Sequence, residues 1–201
     1  MNQEHQNSQP QKNPPPVSAD SVSWPDIRTQ SELHKAAETQ QAGGQVYPNQ
    51  GQKIGEILKS LGIIDDRILN AVEKRHPTKT TKDKPTGELL IYMGKIEPEV
   101  MTRALCIQSG VPMVDVRAIN IPYNILKLVA NEIAREKQAI PVGVFKETLY
   151  LAVADPLNFS EHHFFSFSTG LKVKPVFAPQ SQMITCLKSK WTESGSDIWA
   201  G

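Results

Sequence analysis

The sequence lacks the features that mark membrane-spanning and secreted proteins. No apolar run approaches the ~20 residues that a transmembrane helix needs. No basic stretch followed by an apolar core suggests a secretory signal. Cysteine is scarce, since Cys106 and Cys186 are the two in 201 residues, too few for a disulfide framework. These absences predict a reduced, cytoplasmic setting and no insertion into a membrane.

Motifs of catalysis and metal binding are absent as well. The chain contains no G-x-x-x-x-G-K-[ST] phosphate loop, no H-E-x-x-H, no C-x-x-C and no G-x-S-x-G. His162 and His163 are adjacent, so their side chains point in different directions in either a helix or a strand. Cys106 and Cys186 have no neighbouring His or basic cluster and are interpreted as packed thiols. The prediction is a protein that is not an enzyme, with no catalytic residue and no metal.

The charge of the whole chain is nearly balanced. Its 22 Lys and Arg against 21 Asp and Glu give a formal net charge of +1 at pH 7. A chain without a basic excess has no electrostatic reason to bind nucleic acid or an anionic membrane surface, so neither partner is predicted.

The first quarter of the chain has the composition of a disordered region. Residues 1–52 are rich in Gln, Asn, Pro and Ser, and they are predicted to be a disordered segment and linker, with at most a weak helix near residues 31–41. Such a segment buries too little apolar surface to offset the entropy cost of ordering it. Two interpretations of Trp24 stay open: it is solvated with the rest of the segment, or it anchors a docking motif for another protein. At the other end, residues 192–201 are predicted to be a loose tail.

Two glycine-punctuated helical segments form an internal repeat. Gly55 and Gly87 are 32 positions apart, as are Gly62 and Gly94. In each copy the first glycine opens an apolar helical run that the second glycine ends, and an acidic turn starts another helix. The copies align if one residue is lost from the first, and we interpret them as a duplication. The predicted helical lobe is residues 53–111, two helix-turn-helix units.

Residues 112–191 change to a mixed pattern. Two of the predicted strands are separated by a short polar loop and should form a hairpin, and the last contains Pro175, which suits an edge strand. The fold class is therefore α/β (α+β): a duplicated helix-turn-helix lobe followed by a small mixed α/β lobe. The predicted strands are 113–116, 140–145, 149–154 and 172–177, and the predicted helices are 124–137, 160–167 and 180–190.

The order of these motifs resembles a known family. G-E-hydrophobic-L-x-x-x-G-x-I, an acidic turn, an A-L-x-x-Q helix and GVPMVDV follow one another, and an A-D-P-x-N turn comes later. This order resembles the N-terminal domain of the assembly ATPases of type II secretion and type IV pili, the GspE/PilB/MshE-type or MshEN domain. The resemblance covers residues 53–191. It implies such a domain without the ATPase domain, because the phosphate loop is absent.

The resemblance also implies a ligand. In the MshEN family the duplicated motif, R-L-G-x-x-L-(three)-G ending in Gln, can bind cyclic diguanylate. Here Lys53-Ile54 and Pro85-Thr86 stand where the motif has Arg-Leu, and the first copy has Arg75 or His76 in place of the final Gln. Lost Arg contacts to phosphate or guanine weaken binding. The implied ligand-binding positions are Lys53, Ile54, Gly55, Leu58, Gly62, Thr86, Gly87, Leu90, Gly94 and Gln108.

A cationic loop separates the two copies. Residues 76–85 are polar and bounded by proline, and they carry Lys79, Lys82 and Lys84. Two interpretations stay open: a solubilising loop, or lysines that help to hold a phosphate.

Two functions from different classes follow. The first is a non-catalytic interaction or regulatory module that docks on another protein component of a type II secretion or type IV pilus-like machine. The alternative is a cyclic diguanylate receptor that uses the degenerate duplicated motif, with no other cofactor. The sequence leaves open the partner, the oligomeric state, and whether the chain is complete or the front of a longer ATPase.

Overall fold

The computed structural model describes residues 15–75 and 85–189, so the predicted tail lies outside the described residues. A helical part precedes a small mixed part, and the predicted α+β class is confirmed. The described helices are α1 (Gln30–Gln41), α2 (Ile54–Ser60), α3 (Asp66–Arg75), α4 (Thr86–Tyr92), α5 (Pro98–Ser109), α6 (Tyr123–Leu126), α7 (Asn131–Glu136), α8 (His162–Thr169) and α9 (Gln180–Ser189). The described strands are β1 (Ile140–Phe145), β2 (Thr148–Val153) and β3 (Lys172–Phe177).

The helical lobe repeats one unit, in α2–α3 and again in α4–α5. Gly62 and Gly94 follow the first helix of each unit with φ of +68° and +61°, a conformation that strains residues with a Cβ. The residue after each glycine donates its N–H to a carbonyl of the preceding helix, Leu58 in the first copy (2.9 Å) and Leu90 in the second (3.0 Å). The predicted glycine helix ends are confirmed.

The repeat keeps its spacing of 32 residues beyond the turn. The carbonyls of Asp65 and Glu97 accept the N–H groups of Leu69 and Met101, one turn into the second helix of each copy. The predicted loss of one residue from the first copy is therefore wrong. Ile68 and Leu69 are both apolar, so the hydrophobic pattern alone does not decide which of them matches Met101.

The α/β lobe is built on a three-stranded sheet in the order β1-β2-β3. β1 and β2 form an antiparallel hairpin, with Lys146 at φ +51° in the connecting turn. After α8 the chain returns as β3, which pairs parallel to β2. Pro175 lies in β3, at the end of the strand order, where a missing N–H costs no ladder bond. The predicted hairpin and edge strand are confirmed.

Two predicted elements of this lobe are wrong. Residues 124–137 are not one helix, because α6 ends at Leu126 and Ala130 is extended (φ −60°, ψ 143°) before α7 begins. The break directs Val129 into the core, where it is 4% exposed. Residues 113–116 form single bridges to other segments rather than a strand.

Buried apolar side chains form two clusters. One fills the helical lobe and includes Ile57 and Leu89, and the other surrounds the sheet and includes Tyr150 and Phe165. Phe177, at the end of β3, belongs to the helical cluster. The two lobes are therefore packed against each other at the end of the sheet.

We call residues 15–52 the arm. The predicted disorder is wrong for the arm, which is folded, whereas residues 1–14 lie outside the described part of the chain. A capping box formed by Thr29 and Glu32 begins α1, and Leu33 is buried in the sheet cluster at 1% exposure. The composition is polar, but its few apolar residues are placed where the sheet buries them.

The arm hydrogen-bonds to both lobes. Val17 pairs with the turn before α5, accepting the N–H of Glu97 at 3.0 Å. Ile27 donates to the carbonyl of Met113 at 2.7 Å and accepts from the N–H of Asp115 at 2.9 Å. The arm therefore crosses the junction between the helical lobe and the α/β lobe.

Candidate functional site

A cavity of about 690 Å³ opens between the two copies of the helical unit. The amino-terminal turns of α2 and α4 form part of its wall, and α3 and α5 form the rest. Both copies contribute residues at equivalent positions, 32 residues apart. The lining residues are Lys53, Ile54, Gly55, Glu56, Leu69, Pro85, Thr86, Gly87, Glu88, Ile91, Met101, Leu105 and Gln108.

Each copy packs an apolar side chain of its second helix against the glycine near the start of its first. A Cβ added to Gly55 would lie 3.0 Å from a methyl carbon of Leu69, and one added to Gly87 would lie 2.7 Å from the sulfur of Met101. A Cβ at either position would require the facing side chain to shift, so glycine permits the closer approach. All four residues line the cavity, so it has two similar halves.

Charged groups in the cavity are few and of mixed sign. Among the described lining residues, Lys53 is the one cation, and Glu56 and Glu88 occupy equivalent positions as carboxylates. The other lining residues are mainly apolar, so a ligand would gain most from apolar contact. The lysines predicted as alternative phosphate contacts, Lys79, Lys82 and Lys84, lie outside the described residues.

The structure brings part of the predicted site together. Leu58 and Leu90 are 0% exposed in the helical core, and Gly62 and Gly94 form the turns. These four residues do not line the cavity, because the motif mixes residues that build the repeat with residues that face the cavity, and their part in ligand binding stays a prediction. The predicted residues that do line the cavity are Lys53, Ile54, Gly55, Thr86, Gly87 and Gln108.

Several lining residues were not predicted. Leu69 and Met101 are 32 positions apart, as are Glu56 and Glu88, so a repeat aligned without a gap would have indicated both pairs. Pro85 is equivalent to Lys53 by the same spacing, whereas Ile91 and Leu105 carry no signal that separates them from ordinary helix positions. The residues missed are Glu56, Leu69, Pro85, Glu88, Ile91, Met101 and Leu105.

Gln108 connects the cavity to the arm. Its Nε2 donates to the carbonyl of Gln52 at 2.8 Å, and its own carbonyl accepts the N–H of Gly51 at 2.9 Å. Its counterpart by the 32-residue spacing is His76, which lies outside the described residues. Within the described chain, the second copy therefore supplies the final glutamine of the site.

Trp24 packs against other parts of the chain. Its Nε1 donates to the carbonyl of Ala19 at 2.8 Å, and the Arg103 guanidinium lies 5.3 Å from its ring centroid. The indole is half-buried against the helical cluster. The solvated interpretation of Trp24 is therefore wrong, and its role as an anchor for another protein stays a prediction.

The rest of the described chain adds no second chemical centre. No group of three or more His, Cys, Asp or Glu in residues 15–75 and 85–189 is arranged to hold a metal ion. In the same ranges, no helix combines the length and apolar character needed to cross a bilayer. Cys106 and Cys186 are buried thiols. Burial raises the pKa of Cys106 to about 12, so this thiol is protonated and a poor nucleophile at neutral pH.

The family model of the MshEN domain matches residues 109–189. The match begins directly after Gln108, so the cavity residues lie in the segment that precedes it.

Two relatives with similar sequences are type IV pilus assembly ATPases. The chain is 25% identical over 146 residues to the type IV pilus assembly ATPase PilB of Myxococcus xanthus, covering 73% of this chain and 25% of that protein. It is 25% identical over 149 residues to PilB of Thermus thermophilus, covering 73% and 16%. The chain thus spans a quarter or less of the length of these relatives.

Two solved structures are similar to this chain. MshE, solved with cdg, is 21% identical with a TM-score of 0.47, and the match covers 68% of this chain and 97% of that one. The N-terminal domain of XpsE is 20% identical with a TM-score of 0.41, and the match covers 67% and 91%.

Proposed function

We propose that this chain is a non-catalytic regulatory module that binds cyclic diguanylate in the cavity between its two helical copies. The observation that carries the proposal is that Lys53, Gly55, Thr86, Gly87 and Gln108 all line one cavity. These residues were expected to bind ligand from the MshEN motif alone. Residues from both copies contribute to it, so the duplication builds one shared site.

The cavity suits a ligand with two similar halves. Its volume of about 690 Å³ lies within the roughly 300–1,000 Å³ range of small-molecule sites. Leu69 and Met101, at equivalent positions, offer one apolar contact to each purine base. Lys53 offers a cation to a phosphate, as a point charge rather than a bidentate fork.

Binding is expected to be weak. Lys53 replaces one Arg of the motif and Pro85 the other, while Glu56 and Glu88 add negative charge to the wall. Each missing charge-assisted contact costs roughly 1.5–3 kcal/mol. We therefore expect a Kd between about 10 μM and 1 mM.

Calorimetric titration with cyclic diguanylate tests the proposal. We expect one ligand per chain, and a Kd about fivefold lower for Lys53→Arg, because the fork restores a second hydrogen bond to the phosphate. Lys35→Arg makes the same change on the exposed surface of α1 and should leave the Kd unchanged. No binding by either the wild type or Lys53→Arg would contradict the proposal.

A second candidate function is docking on a protein component of a secretion or pilus machine. The observation that favours it is α8, where Phe167 is 93% exposed and Phe164, one turn earlier, is 40% exposed. Large apolar side chains so exposed are typical of interaction surfaces. This helix lies in the α/β lobe, within the stretch that the MshEN family model matches.

A comparison of variants tests the docking function. In a pull-down from cells of the source organism, Phe164→Ser combined with Phe167→Ser should abolish recovery of the secretion or pilus protein that the wild-type chain binds. Tyr123→Ser, at a side chain 46% exposed in the same lobe, should leave recovery unchanged. Equal recovery by all of these chains would contradict docking through α8.

A further inference from the structure

We propose that the end of the arm, residues 40–52, positions Gln108 for the ligand, so that arm docking and cavity occupancy stabilise each other. This inference rests on the proposed ligand-binding function. The arm then takes part in the site, although neither its composition nor the motif indicates this.

The arm holds Gln108 through a two-bond clamp. The Gln108 Nε2 donates to the carbonyl of Gln52 at 2.8 Å, and the N–H of Gly51 donates to the carbonyl of Gln108 at 2.9 Å. Both bonds join α5 to the residues just before Lys53, the first residue of the cavity wall. The clamp therefore fixes one side chain of the site and the start of α2 together.

More contacts hold the arm on the end of α5. Gln40 Nε2 donates to the carbonyl of Gly110 at 2.8 Å. The Gln50 side chain lies so close to Gly110 that a Cβ there would come within 2.5 Å of it. The Tyr47 hydroxyl donates to the carbonyl of Val111 at 3.2 Å and accepts the N–H of Met113 at 2.9 Å. The arm is therefore held against the end of α5 at several points that precede the clamp.

The clamp fixes the orientation of the Gln108 amide. Its Nε2 donates one of its two N–H groups to the carbonyl of Gln52, whereas its Oε1 accepts no hydrogen bond in the described part of the chain. A docked arm thus presents Gln108 as an acceptor, which suits the N–H groups of a guanine edge. A side chain held in its binding orientation loses less freedom when the ligand arrives, so affinity rises.

Loosening the arm without touching the cavity tests the coupling. We expect Gln40→Ala combined with Gln50→Ala to raise the Kd for cyclic diguanylate about fivefold, because Gln108 is then less restrained. Gln41→Ala, at the exposed neighbouring position of α1, is the matched control and should bind like the wild type. Thermal denaturation of each chain verifies that it is folded. An unchanged Kd in the folded double variant would overturn the coupling.

Hydrogen exchange of the Gly51 amide, measured with and without ligand, distinguishes an arm coupled to the site from an arm that is only structural. We expect saturating cyclic diguanylate to slow this exchange about fivefold in the wild type, because binding stabilises the docked arm. Without ligand, Gln108→Ala should speed it, since the bond to Gln52 is lost. Unchanged exchange in either comparison would overturn the coupling. A wild-type chain that binds no ligand contradicts the proposed function instead, and Gln108→Ala then decides whether the cavity residue holds the arm.

Discussion

At the scale of single residues, Arg103 contacts the arm, the helical lobe and the α/β lobe at once. It is 4% exposed. Its guanidinium donates to Asp26 of the arm at 2.8 Å and to Glu99 of α5 at 2.9 Å. It also lies 5.3 Å from the ring centroid of Trp24 and 5.2 Å from that of Phe177. A buried cation requires such partners, because an unpaired buried charge is strongly unfavourable.

Replacing Arg103 by Ala should lower the free energy of unfolding by about 3 kcal/mol, because the Asp26 carboxylate is left buried without its partner. Urea denaturation measures the change. Arg67→Ala is the control, since that side chain is 93% exposed and pairs with Asp65 at the surface. A chain with Arg103→Ala that unfolds at the same urea concentration as the control would show that the arm contact is not stabilising.

At the scale of elements, the repeat depends on two turns with one geometry. Gly62 and Gly94 both adopt left-handed φ, and a Cβ added to either would meet nothing within 4 Å. A substitution there tests backbone strain alone, without a steric clash. Because the two turns have the same geometry, the same substitution should lower the free energy of unfolding by the same amount in each copy.

We expect Gly62→Ala and Gly94→Ala each to destabilise the chain by about 1 kcal/mol, because alanine is strained at positive φ. Gly94→Asn should cost less, since asparagine tolerates this conformation better. Denaturation midpoints of the three variants give the comparison. If alanine and asparagine were equally well tolerated at position 94, the strain argument would fail.

Local signals predicted the elements whose conformation is decided locally. Positive φ at Gly94 follows from the need to end α4, and the hairpin follows from two β-branched runs separated by a short polar loop. The arm could not be predicted, because Leu33 is one of few apolar residues in a polar segment and only the sheet decides its burial. The local sequence pattern therefore gives no sign of the contact between Leu33 and the sheet.

The candidate site was predictable in part for a related reason. The motif indicated Gly55 and Gly87, since a glycine near a helix start lowers helix stability unless a close approach requires it. It also indicated Leu58 and Leu90, because helical periodicity does not separate a side chain facing a core from one facing a cavity. The contribution of Gln52 comes from packing of the arm and has no sequence signal.

At the scale of the whole molecule, the arm connects the lobes and covers part of the sheet. Deleting residues 1–44 removes Trp24 from the helical cluster, and Ile27 and Leu33 from the cluster around the sheet. We expect this chain to unfold at least about 10 °C lower, because apolar surface is exposed. Deleting residues 1–14 removes none of the described contacts and is the control in the same thermal scan. Equal midpoints for the two deletions would contradict a structural arm.

The central claim, that both copies form one ligand site, is tested most directly by an NMR titration of the full chain with cyclic diguanylate. We expect the amides of Gly55 and Gly87 to shift together and fit a single Kd, while the amide of Gly170, beyond α8, does not move. Shifts confined to one copy, or none at about 1 mM ligand, would contradict it.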